Sequence, residues 1–357
     1  MASWRKHGRI LAFEQRLVDG MRQRGYPQQF AQQVFQQILG FGEYGFPESH
    51  AASFALLVYI SAWLKHYYPE VFTCALLNSQ PMGFYSPRQL VDDLRRHGGD
   101  VQAVDVCYSD LECTLEKRGT DHVFSLRLGL QQVKSLSRSA AERLIEARNQ
   151  HLFRDITDLA RRARLNRGDL EALAAANALA SLAGHRHQAR WACAGIEPAR
   201  PLLEDNTVTE AIPLLKAPGE GEQLVADYAS TGLSLGRHPL ALLRSRLSRL
   251  GLQQARHLRG CLHGSIARTG GIVTGRQSPG SASGVMFVTL EDETGITQII
   301  VWPQLAQRQR RLLLNARLLI VEGKVQREGE VLHLIAWRLE DHSHLLGRLI
   351  TQSRDFH

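Results

Sequence analysis

The amino-acid sequence predicts a multidomain α+β protein, in which a mostly helical region and a tandem pair of helical hairpins precede a small five-stranded β-barrel. Apolar residues recur at helical spacing through 1–77, alanine-rich helices return over 130–194, and apolar–polar alternation begins at 271. At roughly 100 to 200 residues per domain, the 357 residues allow two or three domains. A hydrophobic content of 44% excludes a wholly disordered or fibrous chain.

Charge and cysteine content restrict the partner and the compartment. Lys and Arg number 43 against 35 Asp and Glu, and the resulting net charge of +8 suits a polyanionic partner. Five scattered cysteines without a Cys-x-x-Cys pair indicate reduced thiols. The longest apolar run, 51–64, is shorter than the roughly 20 residues that span a bilayer, and no signal peptide is recognisable. We therefore predict a cytoplasmic protein without membrane contact.

The N-terminal region, predicted as one domain over 1–98, consists of helices separated by glycine and proline. Residues 40–47 form a break rich in glycine and aromatic residues. Ser49 is placed to cap the long apolar helix that follows to residue 67, and Pro87 opens the last helix of the region.

The second domain, predicted over 99–195, begins with short strands and continues with two helix–turn–helix units. The first unit leads through 129–137 into a helix, and the second leads through 166–167 into another. A tight turn before a helix start offers backbone N–H groups to a phosphate without reading bases. The candidate DNA contacts beside these turns are Lys134, Ser135, Arg138, Arg161, Arg162, Arg164 and Arg167. A solvated basic face on an ordinary helical hairpin explains the same residues equally well.

Residues 196–262 are predicted as a linker followed by a basic helical segment. Prolines punctuate the first part. The second part carries arginines with no acidic residue between them: Arg244, Arg246, Arg249, Arg256 and Arg259. These residues suit a DNA channel, but we favour the exposed side of an amphipathic helix.

The barrel is predicted over 263–345, with a tail over 346–357. Five alternating runs, with one helix at 303–314 between the third and fourth, suit a Greek-key barrel of the OB type. Such barrels stack the bases of single strands on exposed aromatic rings. The candidate aromatics are Phe287, Trp302 and Trp337, and the candidate phosphate contacts are Arg276, Lys324 and Arg327. For Phe287 and Trp302 we favour the alternative that they fill the barrel interior.

Signals for catalysis and metal binding are poor. The sequence contains no Asp-x-Asp, phosphate-binding loop or nucleophile elbow, and Asp92 and Asp93, as helical neighbours, point about 100° apart. The acidic residues 291–293 are interpreted as a solvated turn. His185 and His187 have too few partners for a zinc site. The residues alone therefore predict a binding protein with no catalytic residue, metal or cofactor of its own.

Longer motifs resemble a known family. Residues 41–55 and 62–65 resemble the fingers of bacterial C-family replicative polymerases, the DNA polymerase III alpha-subunit-like enzymes. Residues 76–87 are similar to the error-prone, damage-inducible branch of that family. Residues 127–136 resemble its helix-hairpin-helix segment, and 287–295 resemble its C-terminal OB domain.

The resemblance implies the C-terminal portion of an error-prone DNA-directed DNA polymerase that acts in translesion synthesis and DNA repair. In the family, a PHP domain and a palm with three metal-binding aspartates precede the fingers, so Mg²⁺ and dNTP are implied for the full enzyme and this chain alone is expected to be inactive. Ser49, His50 and Lys65 would lie near nucleotide and template.

The implied partners are primer–template duplex, single-stranded template, other translesion-synthesis proteins and the sliding clamp. The alternatives are a stand-alone, non-sequence-specific DNA-binding protein and a decayed polymerase fragment.

Two departures from the family pattern affect the hairpins. Residues 135–137, Ser-Leu-Ser, occupy a turn that usually carries glycines, and Asn177 stands at another glycine position. Serine adopts a positive φ less readily than glycine, whereas asparagine tolerates it better than most residues. With four arginines clustered beside the other turn, the sequence predicts that duplex binding depends on the second hairpin more than on the first.

Overall fold

The computed structural model describes residues 14–42, 48–82, 85–118, 123–196, 213–279, 284–349 and 354–356. The chain forms two compact units, Met1–Phe72 and Thr73–His357. The mixed α+β fold predicted from the sequence is confirmed. The boundaries of the five predicted segments stay a prediction.

The described part of the first unit is helical. It contains α1 (Glu14–Gln23), α2 (Gln28–Gly42), α3 (Glu48–Tyr67) and the start of α4 (Pro69–Asn78). α3 begins at Glu48, and Ser49 lies in its first turn. The predicted capping by the Ser49 side chain and the rest of the predicted glycine-rich break, 43–47, lie outside the described residues.

α3 is unusual because its apolar side chains are exposed around the whole helix. Leu57, Val58, Tyr59 and Tyr67 are each more than half exposed. None of the helices in the described ranges is long and apolar enough to cross a membrane. A helix that is apolar on every side normally buries that surface against other protein.

The second unit begins with a well-capped helix and a small sheet. Ser86 and Gln89 form a reciprocal capping box at the start of α5 (Pro87–Arg96), with a 3.3 Å bond from the Gln89 N–H to Ser86 Oγ. β1 (Asp100–Gln102) pairs in parallel with β3 (Val123–Arg127), and β2 (Thr114–Arg118) pairs antiparallel with β3 on its other side.

Five helices follow and form the hairpin region. They are α6 (Arg138–Gln150), α7 (Ile156–Arg162), α8 (Arg167–Ala175), α9 (Ala180–Ala183) and α10 (Arg186–Ala194). Leu144, Leu159 and Leu173 are fully buried in one apolar core that also contains Leu126 of the small sheet. Within the described range 213–279, three further helices precede the barrel: α11 (Glu220–Ser230), α12 (Pro239–Arg249) and α13 (Ala255–Leu258).

The barrel is closed by five strands. These are β4 (Ile266–Gln277), β5 (Met286–Asp292), β6 (Gly295–Val301), β7 (Leu318–Glu328) and β8 (Val331–Asp341). They are hydrogen-bonded in the order β5-β6-β8-β7-β4, and β4 returns to β5, which gives the closed Greek-key barrel predicted from the sequence. The predicted helix is split into α14 (Pro303–Arg308) and α15 (Arg310–Asn315), and β9 (Arg354–Phe356) adds to β4 within the predicted tail.

One outer face of the barrel is covered by helices, which leaves another face open. Ile272, Leu318 and Ile320 point outward from β4 and β7 and pack with Leu240 and Leu247 of α12. The barrel interior is a separate core that includes Val288, Ile299 and Leu334. The surface that remains available is therefore the outer face of β5, β6 and β8.

The acidic segment 291–293 is buried, and the prediction of a solvated turn is wrong. Glu291 is 6% exposed and lies 3.2 Å from the guanidinium of Arg88 on α5. Glu293 receives two hydrogen bonds from Arg244 at 2.6 and 2.8 Å, and Asp292 accepts the Ala255 N–H at 2.7 Å. Cations and a helix start from distant parts of the chain thus hold this segment.

Arg88 is the centre of a polar cluster formed by Arg88, Asp92, Tyr228, His238 and Glu291, which we call the Arg88 cluster. The guanidinium lies 3.2 Å from Asp92, 3.4 Å from His238 Nε2 and 5.3 Å from the centre of the Tyr228 ring. Burial raises the pKa of Asp92 and Glu291 although Arg88 attracts both. Burial, with the charge of Arg88, lowers the pKa of His238 to about 3. The cluster connects α5, α11 and α12 to the end of β5.

Candidate nucleic-acid interface

The first hairpin turn leads to a helix start that suits an anion. Ser135 adopts a φ of 67°, and the chain then reverses so that Ser137 caps α6 and accepts the Ala140 N–H at 3.1 Å. The first turn of α6 has no acidic residue. The backbone N–H groups and the helix dipole at this end therefore favour a phosphate.

Of the two basic residues predicted beside this turn, one is structural. The Lys134 ammonium donates to the carbonyls of Tyr228 and Ala229 at 3.1 Å each, at the last turn of α11, where a cation stabilises the helix dipole. Lys134 thus anchors the hairpin; it is also exposed, and its role as a phosphate contact stays a prediction. Arg138 pairs with Glu142 at 2.9 Å and remains exposed, so it stays a candidate.

The second hairpin turn also contains a residue with positive φ. Arg164 has a φ of 49°, and Arg143 of α6 donates to the carbonyls of Ala163 and Arg164 at 3.0 and 3.2 Å. Arg143 therefore fixes the turn from the neighbouring hairpin. Sequence reasoning missed this residue, because nothing in its spacing distinguishes it from the other arginines of α6.

The helix start after the second turn is less suited to a phosphate. Asn166 caps α8, and Asp169 completes a capping box by accepting the Asn166 N–H at 3.2 Å. The buried Asp169 carboxylate thus already occupies the end of α8 that would attract an anion. The backbone geometry favours the first hairpin, although the predicted ranking of the two hairpins stays untested.

The arginines of the second hairpin divide into two groups. Arg161, Arg164 and Arg167 are exposed, and Arg167 pairs with Glu171 at 2.9 Å. Arg162 instead donates to the His151 carbonyl at 2.8 Å and lies 3.2 Å from the Asp158 carboxylate. Arg162 closes the end of α6 onto α7, and its role as a DNA contact stays a prediction.

The open face of the barrel carries an apolar row and a polar row. The strand register places Phe287, Ile300 and Ile335 side by side on β5, β6 and β8, all partly buried. The parallel row two residues away consists of Thr289, Gln298 and His333. This face offers flat apolar surface and hydrogen-bonding groups, but none of these six residues is Lys or Arg.

The aromatic candidates lie on the outside of the barrel. Trp302 is 52% exposed and Trp337 40% exposed, while Phe287 belongs to the outer apolar row. The favoured interpretation that Phe287 and Trp302 fill the interior is therefore wrong. Medium-sized aliphatic residues such as Val288, Ile299 and Leu334 fill it instead.

The three predicted phosphate contacts of the barrel differ in accessibility. Arg276 is 5% exposed and donates to the carbonyls of Leu313 and Ala316 at 2.7 and 2.5 Å, so it holds the helices of the barrel and its prediction is corrected. Arg327 is half-buried and donates to the Arg259 carbonyl. Lys324 is exposed on β7 and stays a candidate.

The arginine-rich segment before the barrel contains one partly buried arginine. Arg244 belongs to the Glu293 ion pair, whereas Arg246, Arg249, Arg256 and Arg259 are exposed. The exposed side of α12 and α13 is therefore basic, in agreement with the amphipathic interpretation.

The three residues predicted to lie near nucleotide and template all belong to α3. Ser49 and His50 belong to α3, but their side chains lie outside the described part of the structure. Lys65 is exposed near the end of α3. The roles of all three residues near nucleotide and template stay predictions.

Within the described ranges, no three His, Cys, Asp or Glu side chains are arranged to hold a metal ion. The described residues thus offer no such group for the Mg²⁺ that the resemblance implies for the longer enzyme. Burial raises the pKa of Cys74, Cys107 and Cys193 to about 11, so these thiols are protonated at neutral pH and unsuited to nucleophilic attack.

Comparison with protein families supports both modules. A helix-hairpin-helix motif family matches residues 98–189, and an OB-fold nucleic acid binding domain family matches residues 267–341. The fold and these matches define a chain built from two kinds of nucleic-acid-binding module.

Similarity to known proteins extends over the whole chain. It is 57% identical to the error-prone DNA polymerase of Alkalilimnicola ehrlichii and 53% identical to that of Methylococcus capsulatus, with 100% of this chain and 35% and 36% of those proteins covered. The Pseudomonas aeruginosa enzyme is 49% identical over the same share. The homologues of this chain are thus error-prone DNA polymerases, which confirms the resemblance drawn from the sequence. The chain spans about a third of their length.

Proposed function

We propose that this chain is the DNA-binding portion of an error-prone DNA polymerase that acts in damage-induced translesion synthesis and DNA repair in the cytoplasm. The observation that carries the proposal is the identity of 49% to 57%, over the whole of this chain and about a third of the relatives' length, to such enzymes. In this proposal the longer enzyme supplies the metal-binding carboxylates for primer extension from dNTP, and this chain supplies contacts to DNA. The sliding clamp and other translesion proteins stay expected partners.

The exposed apolar surface of α3 supports the longer assembly. Tyr59 is 70% exposed and Val58 63% exposed, and a soluble helix with such a surface gains stability by packing against further protein. In the proposed enzyme, α3 forms part of the fingers and packs against the remaining polymerase.

The hairpins bind the duplex backbone in this proposal. The start of α6 beside Ser135 provides backbone donors for one phosphate, and Arg138, Arg161, Arg164 and Arg167 provide charge on either side. None of these contacts reads base edges. The open face of the barrel, with Phe287 in its apolar row, binds the single-stranded template by stacking.

The test is a salt titration of duplex binding by the purified chain. Replacing Arg164 and Arg167 with alanine should weaken binding and reduce the salt slope by about 1.8, because each lost phosphate contact accounts for about 0.9. Arg118→Ala with Arg237→Ala is the matched control, since it removes two exposed arginines that pair with acids elsewhere.

Two results would contradict the proposal. One is a wild-type affinity for duplex that does not depend on salt. The other is template-dependent primer extension by the chain alone with Mg²⁺ and dNTP, because this activity is assigned to the longer enzyme. Circular dichroism spectra of the variants must match the wild type for the comparison to hold.

A further inference from the structure

Positive charge is distributed unevenly around the barrel. The open strand face consists of apolar and neutral polar residues, and the turn between β7 and β8 carries the exposed acids Glu328 and Glu330. A single strand that lay only on this face would find surfaces for its bases but few partners for its phosphates. Additional cations must lie beside the face if the barrel is to hold a polyanion firmly.

Three such cations are found on the helices between β6 and β7. Arg308, Arg310 and Arg311 are all exposed, and none of their guanidinium groups forms an ion pair or side-chain hydrogen bond within the described residues. By contrast, the exposed Arg138, Arg167 and Arg237 each pair with a glutamate. No acidic residue occurs in α14 or α15. We call Arg308, Arg310 and Arg311 the arginine platform.

The platform is fixed to the end of β8. Gln309, which lies within it, donates to the Leu339 carbonyl and accepts the Leu339 N–H, both at 3.2 Å. Leu305 and Leu313 are buried in the barrel core on either side. The three arginines are therefore held on a rigid support and not on a loop.

Two exposed indole rings lie between the strand face and the platform. Trp302 directly precedes α14 as its N-cap. In the parallel register of β6 and β8, Ile300 lies opposite Ile335. β6 ends at Val301, so Trp302 lies where the strand face ends and α14 begins. Trp337 lies on β8 between Ile335 and Leu339, the residue that is hydrogen-bonded to Gln309.

We propose that a single strand of DNA that crosses the open face of the barrel continues past Trp302 and Trp337 onto the arginine platform. This inference rests on the proposed function, since it extends the single-strand site of the barrel. Indole rings stack on bases of any sequence, and guanidinium groups bind phosphate oxygens in a bidentate manner. The site thus extends from the strands onto α14 and α15.

Aromatic rings next to unpaired arginines favour nucleic acid over an acidic peptide. A peptide rich in Asp and Glu would neutralise the platform but would leave the two exposed indoles without a partner. A nucleic-acid strand contacts both groups, because its bases stack on the indoles and its phosphates pair with the arginines.

The experiment uses the full chain and two oligothymidylates of about 6 and about 18 nucleotides, one near the lower end and one beyond the upper end of the usual site size of an OB barrel. Each carries one photoreactive 5-bromodeoxyuridine, so that crosslinked peptides report contacts of the barrel separately from those of the hairpins. The test variant has Arg308→Ala, Arg310→Ala and Arg311→Ala. The matched control has Arg118→Ala, Arg237→Ala and Arg348→Ala, which lowers the net charge equally at exposed positions.

We expect the test variant to bind the longer strand at least tenfold more weakly than the control variant. Its salt slope should fall by about 2, since each single-strand phosphate contact accounts for about 0.7. Crosslinks of the shorter strand to the peptide that contains Phe287 should be unchanged. Polyglutamate should compete poorly for the platform.

Equal affinity of test and control variants for the longer strand, with crosslinks to β5 intact, would overturn the platform and leave the proposed function standing. Competition by polyglutamate as strong as that by the longer strand would also overturn it, in favour of an acidic peptide. If the wild type gives no crosslink in the barrel with either strand, the single-strand role of the barrel fails together with this inference.

Discussion

Removing the cation of the Arg88 cluster should destabilise the contact between α5 and the barrel. In an Arg88→Met variant, Asp92 and Glu291 lose a guanidinium that lies 3.2 Å from each of them. Removing one partner of a buried ion pair costs about 3 to 5 kcal/mol, because a buried charge is left uncompensated. We expect a loss in this range at pH 7.

The two carboxyl groups can escape part of this cost by binding protons. Their pKa values are already raised in the folded protein by burial, and they should rise further without Arg88. A raised pKa in the folded state stabilises the fold at low pH, and that stability is lost as the pH rises through the folded pKa. The variant should therefore lose less stability at pH 5 than at pH 7.

Hydrogen exchange measured by mass spectrometry can follow this contact locally. A loss of 3 kcal/mol should accelerate exchange in peptides from α5 and β5 by about 150-fold, since about 1.4 kcal/mol corresponds to a factor of ten. Peptides from α1, in the other unit, serve as the internal reference.

A triple variant with Arg88→Met, Asp92→Asn and Glu291→Gln is the control. It leaves no buried charge without a partner and should recover most of the loss. Unchanged exchange in Arg88→Met, or an equal loss in the triple variant, would refute the assignment of the effect to uncompensated charge.

Two further substitutions test the hairpin turn and the pH response. Ser135→Gly should raise the free energy of unfolding by about 0.5 to 1 kcal/mol, measured by thermal unfolding, because glycine adopts the φ of 67° without strain. The control Ser139→Gly, inside α6, should lower the free energy of unfolding by a similar amount. A loss of stability with Ser135→Gly would contradict the strain argument. Both ring nitrogens of His238 face donors, namely Arg88 and the Leu240 N–H. The pKa of His238 is lowered to about 3 in the folded protein, so the contribution of this residue to stability is fully present above pH 6.5 and is lost as the pH falls. Between pH 6.5 and 4, the free energy of unfolding of His238→Asn should therefore fall by about 1 kcal/mol less per pH unit than that of the wild type, measured by denaturant unfolding. Identical pH profiles of the two proteins would contradict this reasoning.

Local sequence signals were sufficient for the elements that carry the site. Alternating apolar residues predicted the strands of the barrel, because every second side chain of a strand faces the interior. Ser86-Pro87 and Ser137 mark helix starts by hydrogen bonds within a few residues. Serine by itself disfavours a positive φ, but the surrounding hairpin imposes one on Ser135.

The tertiary structure alone decided which charged and aromatic residues are available to a partner. Arg162 donates to a carbonyl at the end of the preceding helix, and Arg276 donates to the Leu313 carbonyl of α15. Glu291 is buried against Arg88, 203 positions earlier in the chain by the two residue numbers. Trp302 is exposed because smaller aliphatic side chains already fill the barrel. The physical reason is common to all four: burial and hydrogen bonding of a side chain depend on residues far away in sequence, whereas helix and strand formation depend mainly on near neighbours.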